Sequence, residues 1–190
     1  MPFYGGWTSS EAILLDLCPT CLHELPVIIS YSDGEGGVAG IGAAVWSGRS
    51  PTPLAVYAEV PEHVRQGWSV RVNGRFNDIF LVEAMGPLLL LLTFPKLFRD
   101  SMWLHFIDNS AAEASLIRGA SSTDCGDHIV GLTWKLIMER RLWAYFDRVE
   151  SKANPVDGLS RGVFSGPWQS VLVKPSPSAK LDAFAETCGR

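Results

Sequence analysis

Three β-rich runs follow one another near the start of the chain, joined by links too short to carry a crossover. This constrains the fold more than any other feature. Residues 27–32 are rich in β-branched side chains and read as a buried strand, and the glycine-rich stretch from Gly34 to Gly37 supplies a turn. Residues 40–46 are a second strand of small residues, 47–53 a second turn, and 54–60 a third strand. Parallel neighbours need a connection of a dozen or more residues, so the three strands are expected as an antiparallel meander.

The rest of the chain alternates helical and strand patterns. Residues 61–77 form a polar link. A helix is expected from Asn77 or Asp78, through Glu83, into the leucines at 88–92, with Pro87 kinking it and Pro95 beyond its end. Residues 102–107 are a fourth strand ending at Asp108. A helix over 110–118 closes at Gly119. A further helix runs from cap residues at 121–124 to about Arg141, its apolar face marked by Ile129, Leu132, Leu136 and Ile137. Residues 142–149 are a fifth strand, and Asn154-Pro155 opens a short terminal helix. The order β-β-β-α-β-α-α-β-α predicts an α/β fold with a five-stranded mixed sheet flanked by helices. The expected organisation is an extension over 1–24, a domain over 25–162, and a proline-containing arm over 163–190 outside the main sheet.

Composition excludes several classes. Apolar residues are 47% and charged residues 19%, which is globular and not disordered. The most apolar stretch, 79–94, is too short for a membrane span and contains Glu83, Gly86 and Pro87, so it reads as a buried helix and no membrane partner is expected. The N-terminus lacks a basic n-region, and four scattered cysteines make no disulfide framework, so an intracellular site, cytoplasmic or nuclear, is expected. Net charge is -4 and uneven: residues 1–95 hold 4 Lys/Arg against 9 Asp/Glu, while 96–190 hold 12 against 11. A phosphate-contacting surface should draw on the second half, and an acidic first half suits a carboxylate cluster. A solvated surface without a message accounts for the same split.

Four acids sit at informative places. Asp33 follows the first strand, Asp108 the fourth and Asp157 the fifth, while Glu83 lies on the helix before the fourth. Clustered acids repel one another unless cations neutralise them, and hard divalent ions with oxygen ligands do so. Taken singly, each acid is equally a turn or cap residue, and Glu35 is a possible substitute for Asp33.

The segments Ser32-Asp33-Gly34, Glu83 on its helix, Ile107-Asp108-Asn109 and Asn154-Pro155-Val156-Asp157-Gly158-Leu159-Ser160-Arg161 together resemble the RNase H domain of retroelement reverse transcriptases, of the LTR and tyrosine-recombinase retrotransposon type. The resemblance covers roughly residues 27–162, and its closing segment is its most specific part. It implies an RNase H-like fold and hydrolysis of the RNA strand of an RNA–DNA hybrid. Two Mg²⁺ ions, or Mn²⁺ in their place, would sit roughly 3.5–4 Å apart. Asp33 would bridge both, Glu83 and Asp108 would hold mainly one, and Asp157 the other. Gly34, Asn109, Lys135, Arg140, Arg141, Asn154 and Arg161 are the residues expected to contact nucleic acid, and a reverse transcriptase polymerase domain or another protein is the expected partner. The chain departs from the pattern in Gly86-Pro87 after Glu83, and in the loop 150–153, which lacks the histidine many relatives carry. Two alternatives stand beside this reading: a catalytically inactive module of the same fold that binds nucleic acid or scaffolds an assembly, and a DNA nuclease of the same fold.

Other motifs point less far. Cys18-Pro19-Thr20-Cys21 with His23 invites a zinc site but has no second ligand pair, since Cys125 and Cys188 are isolated. His63, His105 and His128 show no ligand spacing, and Ser32 and Ser160 have no plausible histidine partner nearby, so no serine nucleophile is expected.

Overall fold

The computed structural model describes residues 25–48, 50–68, 71–72, 75–76 and 79–175. The extension over 1–24 with its Cys18/Cys21 pair, the helix caps Asn77 and Asp78, and Cys188 lie outside the described residues. The meander is β1 (Val27–Gly34), β2 (Gly40–Ser47) and β3 (Ser50–Glu59), antiparallel throughout. A short helix α1 (Glu62–Gln66) and a two-stranded ribbon of β4 (Arg71–Val72) and β5 (Arg75–Phe76) follow. Then come α2 (Ile79–Thr93), β6 (Ser101–Ile107), α3 (Ser110–Arg118), α4 (Asp124–Glu139), β7 (Leu142–Arg148), α5 (Asp157–Ser160) and β8 (Leu172–Val173). The main sheet has the order β7-β6-β1-β2-β3-β8, with β6 parallel to both β1 and β7.

Helix α2 is apolar all round because it is enclosed all round. It packs on β1 and β2 and is flanked by α3 and α4. Eleven of its residues are buried, and it carries the principal core with Ile28, Val45, Val56 and Trp103. No helix among the described residues is long and apolar enough to cross a membrane. The opposite face of the sheet carries a smaller core, Ala44, Ala55, Val156, Leu159 and Trp168.

The local signals for α3 hold at both ends. Asn109 caps it by accepting from the amides of Ala111 and Ala112, and Gly119 closes it at φ 70. Thr123 caps α4 through the Gly126 amide. Elsewhere the structure corrects the sequence reading. The sheet has six strands, because Leu172–Val173 pairs in parallel with Ala55 and Val56. The arm is therefore not outside the sheet. Trp168, buried against Trp46 with ring centroids 6.1 Å apart, anchors it there. A two-residue strand is too short to leave a periodic signal.

Strand β3 begins at Ser50 and not at Leu54, so Pro51 and Pro53 lie within it. The pairing with β2 is irregular at that point: Val45 stands opposite Leu54 and Ser47 opposite Ser50, so residues 51–53 face Trp46 alone. A bulge of this kind is where a strand tolerates proline, which has no amide to give to the ladder. Helix α2 runs through Pro87 without interruption. Finally, α5 starts at Asp157. Asn154 ends a 3-10 turn (Ser151–Ala153), and its side chain binds inward, donating to the Ser32 carbonyl at 3.0 Å and accepting from the Val156 amide.

Candidate metal centre

Register alone brings the first two acids together. Strands β1 and β6 are parallel neighbours with Tyr31 opposite Phe106, so both run out at one end of the sheet, with Asp33 and Asp108 two residues further on. That is where open parallel sheets bind ligands. Glu83 arrives from α2, which lies so close on β1 that a Cβ on Gly86 would stand 2.2 Å from the Ser32 hydroxyl, and one on Gly34 would stand 3.0 Å from the Glu83 amide nitrogen. The glycine in the unusual Gly86-Pro87 pair is thus what lets Glu83 reach Asp33. Carboxylate oxygens of Asp33, Glu83 and Asp108 lie within 4.8 Å of one another.

Asp157 reaches the same cleft from the other face of the sheet, through a second close approach. Helix α5 sits directly on β2, where a Cβ on Gly42 would be 2.5 Å from the Ser160 nitrogen and one on Gly40 2.1 Å from its carbonyl oxygen. Backbone, not a flexible side chain, is in the way. Gly42→Ala is therefore expected to cost about 1–3 kcal/mol in chemical denaturation, as overpacked sites do, and to displace Asp157 with α5.

The cleft has a volume of about 610 Å³ and is lined by five carboxylates, Asp33, Glu35, Glu83, Asp108 and Asp157, with Arg161 as the one base among its lining residues. Asp33 and Glu83 are each 4% exposed. Burial pushes the Asp33 carboxyl up to about 7; Asp108 and Asp157 add to the rise, while the Ser160 hydrogen bond and Arg161 oppose it. Burial pushes Glu83 up to about 10, reinforced by Asp33, by Asp108 and by a hydrogen bond with Asp108, against the Gly34 amide. One Glu83 oxygen, Oε2, is buried without any hydrogen-bond partner. A buried acceptor of that kind costs the full desolvation of the group unless something supplies positive charge. The donor set consists of carboxylate oxygens at a shared point, which fits Mg²⁺ or Mn²⁺ and does not fit a soft metal.

Asp157 stands apart from the converging trio. Its Oδ1 accepts from the Arg161 guanidinium at 2.6 Å. Between them, Ser160 turns its hydroxyl to Asp33 Oδ2 and lies 2.8 Å from the Asp157 carbonyl oxygen. In sequence Ser160 drew notice only as a nucleophile; its place in the closing segment beside Asp157 was the available signal for this other contact. Glu35 does not substitute for Asp33. It folds back onto its own turn, accepting from the amides of Val38 and Gly37, which hold its pKa below the usual range. Arg65 donates to the Gly36 and Gly37 carbonyls and braces the same turn.

The residues expected to contact nucleic acid divide. Gly34 and Arg161 line the cleft. Asn109 lies beside Asp108 with its side-chain oxygen engaged in capping α3, and Asn154 is buried. Lys135, Arg140 and Arg141 do not line the cleft: Lys135 lies near Glu139, Arg140 donates to the Leu91 carbonyl at 2.6 Å, and Arg141 pairs with Asp100. Arg148, which sequence reasoning passed over, ends β7 with its guanidinium 3.4 Å from the Asp108 carbonyl.

Beneath Asp33 runs a buried polar chain. Trp103 donates to the Ser30 hydroxyl, which pairs with His105 Nδ1, and His105 Nε2 pairs with Ser32. Burial pushes His105 down to about 3, so the ring is neutral. A neutral imidazole donates through one ring nitrogen and accepts through the other, so His105 can satisfy both Ser30 and Ser32, and Ser32 has a histidine partner that the sequence did not show.

No protein-family model matches the sequence, and no curated protein matches it. Solved structures do resemble it. The N-terminal RNase H domain of a Mycobacterium tuberculosis protein, solved as a fusion with maltose-binding protein, matches with a TM-score of 0.50 at 16% identity, over 76% of this chain and 98% of that one. RNase H1 of the halophilic archaeon Halobacterium salinarum matches with a TM-score of 0.48 at 15% identity, over 67% and 89%. An RNase H1 isolated from compost matches with a TM-score of 0.45 at 14% identity, over 72% and 91%. The chain has an RNase H-like fold.

Proposed function

We propose that this chain is a divalent-metal-dependent endonuclease that hydrolyses the RNA strand of RNA–DNA hybrids, as the RNase H part of a reverse transcriptase. The observation that carries the reading is the buried, unpartnered Glu83 Oε2 facing two further carboxylates within 4.8 Å. An enclosed cluster of acids without a cation is costly to fold, and an RNase H-like sheet puts it where a phosphodiester can enter.

Asp33, Glu83 and Asp108 would hold one ion, and Asp157 with Asp33 a second. Bound there, the ions supply an activated water and charge stabilisation for the leaving 3′-oxygen. The protein's own part is to fix the ligands before substrate arrives. Ser160 aims the Asp33 carboxylate by donating to Oδ2, Asn154 ties the backbone beside Asp33 to the loop that carries Asp157, and the neutral His105 pairs with Ser32 immediately before Asp33. The turn at Gly34–Gly37, braced by Glu35 and Arg65, offers small residues where a hybrid minor groove and its 2′-hydroxyls can approach. Arg161, which lines the cleft, and Arg148, next to the Asp108 backbone, join Lys135, Arg140 and Arg141 as candidate phosphate contacts.

A hybrid labelled on both strands tests this, incubated with Mg²⁺ and with Asp108→Asn as control. The RNA strand alone should be cut, leaving 5′-phosphate and 3′-hydroxyl ends, and the substitution should remove at least about a hundredfold of the rate. Cutting of DNA in the hybrid or in a junction would replace this reading with the DNA nuclease. Hybrid binding without cutting of either strand would leave a non-catalytic module.

A further inference from the structure

Of the five carboxylates in the cleft, Asp157 forms a direct ion pair with the cleft's own base, Arg161, whose charge also reaches Glu35 and, as the smallest of the influences there, Asp33. Arg161 lies four residues after Asp157 on the same short helical turn, so the pair forms at a spacing that needs no rearrangement of the chain. The side chains are 60% and 37% exposed, so the contact is screened and opens at little cost. On the inner side, the Asp33 oxygen Oδ2 is already engaged by the Ser160 hydroxyl. The trio of Asp33, Glu83 and Asp108 has instead an orphaned buried oxygen and no basic side chain within it.

We propose that Arg161 is a resident counter-ion of the Asp157 side of the cleft, which a second divalent ion must displace, so that the two ions load in a fixed order. The inference rests on the metal-centre reading above and adds the residue that sets the sequence of events. The first ion enters the trio, where it relieves repulsion and has no direct ion pair to displace. The second can take Asp157 only in exchange for the guanidinium. A divalent ion at Asp157 then repels Arg161 into the open cleft with its donor fork unpaired, free to meet a planar or bidentate anion.

Titration of the full chain with Mn²⁺ alone, followed by calorimetry, tests this without reference to activity. The parent chain should bind one ion more tightly than a second, and Asp157→Asn should lose only the weaker. Arg161→Gln should tighten the weaker site by about fivefold, the scale of an exposed ion pair, and the tighter one, which it reaches only through Asp33, by less than about twofold. Arg161→Lys should fall between. A second ion seen only in Arg161→Gln would be the same result in stronger form. In the Asp157→Asn background, Arg161→Gln should change nothing. A weaker site unaffected by Arg161→Gln overturns the proposal, as does equal tightening of both sites, which would make Arg161 a distant charge only. Absence of Mn²⁺ binding to every form would remove the metal-centre reading itself.

Discussion

Glu83→Gln is expected to melt at a higher temperature than the parent chain in metal-free buffer at pH 7, and to have no measurable nuclease activity. Burial and the two neighbouring acids lift the Glu83 carboxyl from 4.5 to about 10. At pH 7 the folded protein must therefore keep a proton that the unfolded chain releases. The cost is about 3–4 kcal/mol, from roughly 2.5 pH units at about 1.4 kcal/mol each. Glutamine has nearly the same shape, carries no charge to neutralise, and can still donate toward Asp108. It recovers most of that energy and loses the anionic ligand. A variant that gains stability while losing activity marks a strained functional group and not a structural one. A glutamine variant that melts lower than the parent would mean that Glu83 stabilises the fold, which would contradict a site waiting for a cation.

The second large effect is on the pH dependence of stability. Asp33 and Glu83 both have folded pKa values above their unfolded ones, so the folded state binds more protons. The contribution of these two groups to stability is then greatest below about pH 4. That contribution declines as pH rises through about 7, where Asp33 ionises, and on toward 10, where Glu83 follows, while Glu35, shifted down, acts in the opposite sense only at acid pH. Divalent ions should oppose the decline, because they favour the ionised forms that metal-free folding penalises. At about a hundredfold excess over Kd the gain is about 2.7 kcal/mol, and the rise in Tm at pH 8 is on the order of 5–10 °C. Thermal scans at pH 5 and pH 8, with EDTA or with Mg²⁺, would measure it. A metal effect that is the same at both pH values would separate ion binding from these two carboxyls.

How far the sequence could be read depended on the range of the interaction involved. The strands carrying Asp33 and Asp108 were legible because apolar runs end abruptly in an acid, and α3 because Asn109 and Gly119 punctuate it locally. Helix α2 was legible as a buried helix from its leucines. The purpose of Gly86-Pro87 was not. That glycine answers to Ser32, more than fifty residues away, and a single sequence does not state which backbones touch. The same holds for Gly40 and Gly42 under Ser160. Strand β8 escaped because two residues have no period, and the start of β3 because proline signals a turn unless it falls in a bulge. The basic residues were the least legible. Lys135, Arg140 and Arg141 lie on or just after an amphipathic helix, but sequence spacing does not say toward which end of the sheet a side chain points. Arg140 and Arg141 have partners that do not line the cleft, while Arg161, after a helical turn, lines it and Arg148, at a strand end, reaches the Asp108 carbonyl.

The most direct measurement is anomalous diffraction from crystals of the chain soaked in Mn²⁺. The account predicts a peak within coordinating distance of Asp33, Glu83 and Asp108 that is lost in Asp108→Asn. Well-diffracting crystals with no peak there at saturating Mn²⁺, or with a peak only at exposed acids elsewhere, would contradict it.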